Sequence, residues 1–598
     1  MPSDGSPAPS RDDPPGEPPA LRVGVIRRGP GAVFPAWQAH CLGGLLDLDG
    51  VEVVLLVSDE RAPDRDPSGV PHTPMPRLDN LLWTMYHSVW IRRRSRASHP
   101  VSLDDLLSGV PEVCLRDEPP GAASGRAGAL DAIRAADLDV ILDVESSPIS
   151  REIAEMARHG AWSFGFGDPQ TSGDGPACFW EVYRGDVVTR AALEGLSGAD
   201  AQRSVLYEGY VKTIRYSYPR HRDAVLLGVA DWPARACRQI LAGVPPVPTP
   251  VPAPPAPGSA AAVPTNREMV RLLGVTAWRV AGATWAALVR RDEWNVGIAE
   301  APIHAFLQPG ARPQIRWIPR ARGGSFLADP FVADHGDAAG VLVEAFDARD
   351  GKGRIVVLAV ESGGGLGPPE PAIEAPVHLS YPYLIEHAGQ IYCVPEMHQA
   401  GKVDLYRATA FPHGWVRCAT LIEGIAIADA TVFVHDNRWW LLCSVEGDHP
   451  NTTLHAWHAA DLSGPWAPHP ANPLKTDVRS SRPAGAPFAH GGRLYRPAQD
   501  CSQTYGGAVV INHVQRLTPA EFAEEPVARV EPDHAGPYPH GLHTLSAWGQ
   551  RTLIDGKRRR FAPWGWWWPL RSALGRLTAH GSDRLGLRRP LGTACRRE

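Results

Sequence analysis

The chain has 598 residues, too many for a single hydrophobic core, so two to four domains are expected. Its 43% apolar and 21% charged residues are those of a soluble globular protein, and a net charge of −5 excludes a general nucleic-acid binder. That charge is uneven: residues 557–598 hold eleven Lys/Arg against two acids, leaving 49 basic and 63 acidic residues in the body.

Basic residues are nearly all Arg, with Lys only at 212, 352, 402, 475 and 557; beside abundant Ala, Gly and Pro this reads as coding bias. The 20 Trp residues suit sugar stacking as well as core packing. Nine cysteines are scattered without a CxxC pair, which suggests neither a zinc site nor a disulfide framework and points to a reducing compartment.

In chain order, residues 1–20 are rich in Pro, Ser and Asp, are expected to be disordered, and lack the apolar run of a signal peptide. No stretch is expected to approach the ~20 apolar residues of a membrane span, so the chain reads as cytoplasmic. LRVGVI (21–26) is a buried-strand pattern, PAWQAHCLGGLLDL a helix, and VEVVLLV (51–57) a second strand, an order that implies a parallel sheet. ALDAIRAA then reads as a helix, LDVILDV as a third strand from 138, ISREIAEMARHG as a helix ending at Gly160, and AWSF (161–164) as a fourth strand. RRGPG (27–31) lacks GxGxxG spacing and is a turn. The α/β block covers 21–243 and ends near ACRQILAG.

The segment 244–264, VPPVPTPVPAPPAPGSAAAVP, is a semi-rigid Pro-rich linker. Over 265–556 a repeat of about 50 residues appears, each copy a distinctive strand opening, a turn and an aromatic-rich strand. The copies are ADPFVADHGDAAGVLVEAFD (328–347), SYPYLIEHAGQIYCVPE (380–396), IADATVFVHDNRWWLLCS (427–444), SRPAGAPFAHGGRLYRPAQD (481–500) and HTLSAWGQRTLID (543–555). HAGQ, HDNR and AHGGR supply hairpin turns. Five such copies predict an all-β five-bladed propeller; the alternative is a β-sandwich with coincidental turns.

Residues 21–243 resemble the formyltransferases through LRVGVIRRGP, DLDVILDV, ISREIAEMARHGAWSF and PACFWEVYRGD (176–186). The resemblance implies an α/β parallel-sheet fold and formyl transfer from 10-formyltetrahydrofolate to an amine, with Asn and His as oxyanion donors and an Asp handling protons. The Asn position falls on Ser163, the His position on Gly165, and the Asp on Asp200, so a degenerate or repurposed domain is expected. His159 is read as ending its helix; His221 and Asp223 are read as loop salt-bridge residues.

The repeat region resembles the family-43-like glycosidase propellers, and in particular the domain at the N-terminus of the plant glucosamine inositolphosphorylceramide transferases. In such propellers three carboxylates line a central pocket, one at the start of each of three inner strands. The resemblance places Asp329 as general base, Asp429 as the residue tuning the acid, and His543 as the pocket histidine. Tyr381, opening the second repeat, joins Arg482 and His543 as substrate-binding. The acid's position falls within Ser481–Pro483 or Gly485–Pro487, where no carboxylate stands. Arg482 stays charged and suits an anion on the ligand, which leaves Glu396 as a substitute acid.

The sequon Asn451-Thr452-Thr453 carries no meaning without secretion. The tail 557–598 joins Trp564, Trp566, Trp567 and Trp568 to dispersed arginines, giving either a peripheral membrane contact at the inner face or a packed Trp cluster. The leading expectation is a carbohydrate-active protein of transferase descent in glycan or glycolipid biosynthesis. Its partner would be a glycan, sugar phosphate or sugar nucleotide, and no nucleic acid or metal is called for. The alternatives are a non-catalytic glycan-recognition protein and a propeller glycosidase using Glu396.

Overall fold

The structure, a computed structural model, describes residues 20–562 apart from 29–30, 60–64, 67–69, 72–77, 116–125, 146–149, 169–174, 198–201, 252–262, 322–324, 336–337 and 362–363. Asp200, the Trp residues of the tail, the first 19 residues and the middle of the Pro-rich linker therefore lie outside the described residues. The chain forms two compact units. Unit 1 comprises Met1–Thr276, Pro470–Val478 and Pro519–Glu521, and unit 2 comprises Ala277–His469, Arg479–Thr518 and Phe522–Glu598.

Unit 1 is built on a mixed sheet. The expected parallel strands are β1 (Leu21–Arg27), β2 (Val51–Asp59), β4 (Val140–Asp143) and β5 (Ala161–Phe166), and β3 (Glu112–Leu115) is a further one that the sequence did not suggest. They lie in the order β3-β2-β1-β4-β5, all parallel. An antiparallel pair, β6 (Val188–Ser197) and β7 (Gln202–Lys212), extends the sheet from β5. Thr249–Pro250, from the Pro-rich segment, adds to β7.

Alternation decides the packing. Val23, Val25, Val140 and Leu142 face α1 (Ala36–Leu46), whose Trp37, Leu42 and Leu45 share their cluster. Ile26, Leu55, Val57 and Ile141 face the other way, against Leu130 and Ile133 of α2 (Arg126–Ala135). Strands buried on both faces explain why these segments read as continuous apolar runs. The helix expected to run to Gly160 is only Arg151–Ala154, and exposed His159 sits in the turn before β5. His221 and Asp223 are on a helix, α3 (Tyr218–Gly228), not in a loop. Fully buried His221 donates Nε2–H to Thr189 Oγ1 at 2.7 Å and accepts the Ile214 amide at Nδ1, while Asp223 accepts the Arg96 amide.

α4 (Asn266–Val289) corrects the expectation that no segment is long and apolar enough to cross a membrane: it has 24 residues, and an 18-residue stretch within it has a mean hydropathy of 1.4. The eye misses it because Arg267, Arg271 and Arg279 interrupt the apolar run.

Unit 2 is propeller-like and almost all β. β8 (Arg290–Ala299) and β9 (Ile315–Trp317) begin it. Next come β10 (Phe326–His335), β11 (Ala338–Asp347), β12 (Lys352–Val360) and β13 (Leu366–Ile373), then β14 (Ser380–His387), β15 (Gln390–Glu396), β16 (Lys402–Ala410) and β17 (His413–Glu423). β18 (Ile427–His435), β19 (Arg438–Val445) and β20 (Thr453–Ala459) follow. After them come β21 (Phe488–His490), β22 (Arg493–Asp500), β23 (Ala508–Leu517) and β24 (Phe522–Val530). Last are β25 (Leu545–Trp548) and β26 (Arg551–Phe561).

Four complete four-stranded antiparallel sheets result: β10 to β13, β14 to β17, β21 to β24, and β9-β8-β26-β25. Five complete blades were expected. The repeat at 427–444 yields only three full strands, with Ala467–Pro468 as a two-residue fourth. Prolines at 465, 468, 470 and 473 remove the amides a longer ladder needs. In the last sheet β8 pairs with β26, so residues 290–299 are zipped to 552–561. Strand pairing thus continues through 557–561, where the sequence suggested the tail begins.

Candidate functional site

Three repeats open with the same backbone device. Asp329, Tyr381 and Asp429 have φ of 52°, 42° and 52°, the left-handed region. Each sits in a bulge where the ladder skips, between Ala328 and Phe331, Ser380 and Tyr383, and Ala428 and Thr431. A bulge re-aims a side chain out of the alternation, and Asp tolerates a left-handed φ better than most residues. Tyrosine does not, and that strain costs on the order of 1–3 kcal/mol.

The re-aimed groups and the ends of the second strands are tied together across sheets. The Asp329 amide donates to Asp555 Oδ2 at 3.3 Å, and the Tyr381 amide to Asp329 Oδ2 at 3.3 Å. The Asp429 amide donates to Glu396 Oε2 at 2.9 Å. The His543 and Thr544 amides both donate to Asp555 Oδ1. Asp329, Glu396, Asp429, Arg482 and His543 are all buried, and the interactions that set their charges link all five.

Tyr381, expected to touch substrate, is fully buried: its hydroxyl bonds Thr431 Oγ1 at 2.9 Å and accepts the Gly485 amide at 2.9 Å. It pins three repeats together. Arg482, expected to hold a ligand anion with both arms, is engaged internally. Its Nε donates to Asp429 Oδ2 at 2.6 Å and its Nη1 to Asn451 Oδ1 at 3.2 Å, with Nη2 3.9 Å from Glu396. Gln499 Nε2 also donates to Asp429 Oδ2, at 3.0 Å. Glu396 is held by His398 Nδ1 at 2.8 Å.

Burial pushes Asp329 up, with the His543 charge pulling against it. Glu396 and Asp429 share one guanidinium and part ways. Burial pushes Asp429 up despite Arg482. At Glu396 burial again opposes ionisation, but the His398 hydrogen bond and the Arg482 charge outweigh it and draw the carboxyl down to about 2. Glu396 thus stands as an acceptor for His398 and for the Asp429 amide.

The sequence reading missed five members of the cluster. Glu344 is buried and pushed well above the usual carboxyl range by burial and by the neighbouring acids, with His378 Nε2 at 3.3 Å. Asp555 binds His543 Nδ1 at 2.5 Å. Trp294 stacks on the His543 ring at 3.9 Å between centroids. Gln499 is the fourth. Tyr505, 40% exposed, carries the Arg482 guanidinium 5.1 Å from its ring centre and meets His543 edge-on at 5.4 Å. A signal for Glu344 was available, because Glu344, Glu396 and Ser444 each stand fifteen residues after their openers Asp329, Tyr381 and Asp429.

Asp329, His543 and Asp555 place a ligand atom each within 4.8 Å of one another and could hold a divalent cation. Asp555 and His543 Nδ1 are already committed to each other and to the 543 and 544 amides, so the trio stands as a hydrogen-bonded unit.

In unit 1 the residues do not fit the expected folate chemistry. A side chain at Gly165 would begin 2.9 Å from Glu194 Oε1, and Glu194 is held by Arg203 at 2.6 Å and faces Arg190 at 3.6 Å. An ion-pair cluster fills the place where the resemblance calls for histidine.

Residues 318–536 match the family described as glucosamine inositolphosphorylceramide transferase 1, N-terminal. Similar proteins include glucosamine inositolphosphorylceramide transferase 1 of Oryza sativa subsp. japonica, 34% identical over 228 residues, 37% of this chain and 30% of that one. The Arabidopsis thaliana protein of the same name is 32% identical over 206 residues, 33% of this chain and 27% of that one. The chain thus spans less than a third of the length of these relatives. Among solved structures, a thermostable family-43 glycoside hydrolase aligns with a TM-score of 0.28 and 14% identity over 36% of this chain and 79% of that one. A family 117 glycoside hydrolase from Zobellia galactanivorans aligns at 0.29 and 10% over 45% and 91%. Similarity at those scores carries no argument about function.

Proposed function

We propose that unit 2 is a carbohydrate-binding module of transferase type, acting in glycolipid assembly. The observation that carries this reading is a coincidence of spans: the family match at 318–536 covers the segments that supply Asp329, Glu396, Asp429, Arg482 and Tyr505. Glu396, ionised and hydrogen-bonded, suits sugar hydroxyls that donate, the raised carboxyls of Asp329 and Asp429 suit hydroxyl oxygens that accept, and the 40% exposed ring of Tyr505 suits a pyranose C–H face.

The same chemistry ranks the ligands. Five acids, Asp329, Glu344, Glu396, Asp429 and Asp555, surround Arg482 and His543, and Arg482 is already paired. A sugar hydroxyl face is therefore favoured over a sugar phosphate or sugar nucleotide. Glycoside hydrolysis is disfavoured, since it needs an acid and a base flanking the bond and a guanidinium occupies the acid's place. Turnover of aryl glycosides by the parent that Asp329→Asn abolishes would restore the hydrolase reading.

For unit 1 we propose a scaffold role within a formyltransferase-like ancestry, supported by the filled space beside Gly165. No thermal shift with 10-formyltetrahydrofolate is the expected result.

The experiment for unit 2 is a glycan titration of the full chain, using glucosamine- and inositol-containing oligosaccharides and following Trp fluorescence. Tyr505→Ala should weaken binding about tenfold while leaving the unfolding midpoint near that of the parent. Binding that survives both Tyr505→Ala and Asp329→Asn unchanged would defeat the assignment.

A further inference from the structure

α4 is apolar on its outside. Val270, Leu273, Trp278, Val280, Trp285 and Leu288 are all exposed, Trp278 by 76% and Trp285 by 61%. Trp278, Trp285 and Leu288 fall at i, i+7 and i+10 on one stripe, at helical spacing. Two exposed indoles on one stripe hold apolar surface in water that an apolar environment would relieve.

What lies next to the stripe is basic. The helix ends at Val289, and the strand pair that follows brings Arg290, Arg291, Asp292 and Glu293 against Arg558, Arg559 and Arg560, five cations to two anions, with Lys557 buried beneath them. The Ala562 amide donates to the Val289 carbonyl at 2.7 Å. The helix end therefore also meets the point from which the chain runs on into PWGWWWPLRSALGR.

We propose that the Ala277–Leu288 face and the basic strand ends beside it dock this chain on a membrane surface of anionic lipid. Indoles settle at the bilayer interface and each Arg near an anionic surface adds attraction that salt screens. The helix lies in the interface and does not cross. Met269 and Leu272 are buried in a core cluster of unit 1 with Trp83, Phe179 and Tyr218, and Val289 is buried at the other end. The stretch between them is about 24 Å long at 1.5 Å per residue, short of the ~30 Å hydrocarbon core. Arg279, near its middle, would place a charge at the bilayer centre, where it is strongly disfavoured.

The test is co-sedimentation of the full chain with vesicles of phosphatidylcholine alone and of equal parts phosphatidylcholine and phosphatidylserine. The expected result is binding to the mixed vesicles, weakened by salt, and reduced about tenfold or more in Trp278→Glu/Trp285→Glu. Because both positions are exposed, circular dichroism of this variant should match the parent. Four outcomes would overturn the proposal: no vesicle binding, equal binding by parent and variant, resistance of the bound chain to alkaline extraction as a spanning helix would show, or a self-association of the parent that the variant abolishes without vesicle binding.

Discussion

His543 Nδ1 lies 2.5 Å from Asp555 Oδ2, and the Nε2 of the same ring faces Asp329 Oδ1 at 3.7 Å. Burial opposes a charged imidazole here, but Asp555 and then Asp329 outweigh it, and the pKa is raised above 6.5. A raised histidine stabilises the fold fully below the unfolded pKa, and that contribution is lost as pH rises through the folded pKa. The ring should therefore still titrate above pH 6.5 by NMR, and Asp555→Asn should bring its midpoint down. A parent midpoint at or below 6.5 would sink this account.

Tyr381 offers a test of the strut between repeats. Tyr381→Phe keeps the ring but leaves the buried Gly485 amide without its acceptor. A loss of about 1–3 kcal/mol is expected in urea unfolding. No change would mean that water or another group takes the amide.

The Asp429–Arg482 pair should be costly to break and cheap to remove. Asp429→Ala leaves a buried guanidinium beside Glu396 and should cost about 3–5 kcal/mol. Asp429→Leu with Arg482→Met should cost less than Asp429→Ala alone, because the guanidinium leaves with its partner and buried Glu396 keeps His398. Additive losses would contradict the pairing.

Unit 1 should weaken in acid through one residue. Burial alone draws His221 down to about 3 from 6.5. Its neutral form stabilises the fold above pH 6.5, and the contribution falls away as pH drops towards 3, by up to about 5 kcal/mol. Stability measured between pH 7 and 4 should fall less steeply in His221→Gln, which keeps a hydrogen-bonding group for Thr189. Parallel slopes would remove His221 as the cause.

How far these features could be read beforehand depends on range. The strands of unit 1 and the repeat openers were legible because apolar runs and opener motifs are local. β3 was not, because only Leu115 of its four residues is buried, whereas all four of β4 are and show as an apolar run. Asp329, Asp429, Arg482 and His543 were found together because each opens a repeat. Their partners were harder. Asp555 and Gln499 matter through pairing register, and Tyr505 through a loop between β22 and β23, and neither follows from neighbouring residues. Tyr381 shows the opposite limit: its position in the repeat was right, yet its left-handed backbone turns the hydroxyl into the protein. The helix α4 was hidden because Arg279 divides its apolar stretch, and only an average over 18 residues brings the hydropathy out.

The pairing of β8 with β26 has a kinetic consequence. Asn295 must find Gly556, and Ala299 must find Thr552. Contacts separated by so much of the sequence form slowly, because the intervening loop entropy is lost before they contribute. During synthesis the first strand of unit 2 waits, with one edge bare, until residues 551–561 have left the ribosome. A nascent chain truncated before residue 551 exposes that edge to other chains, and aggregation of such fragments is the expected fate.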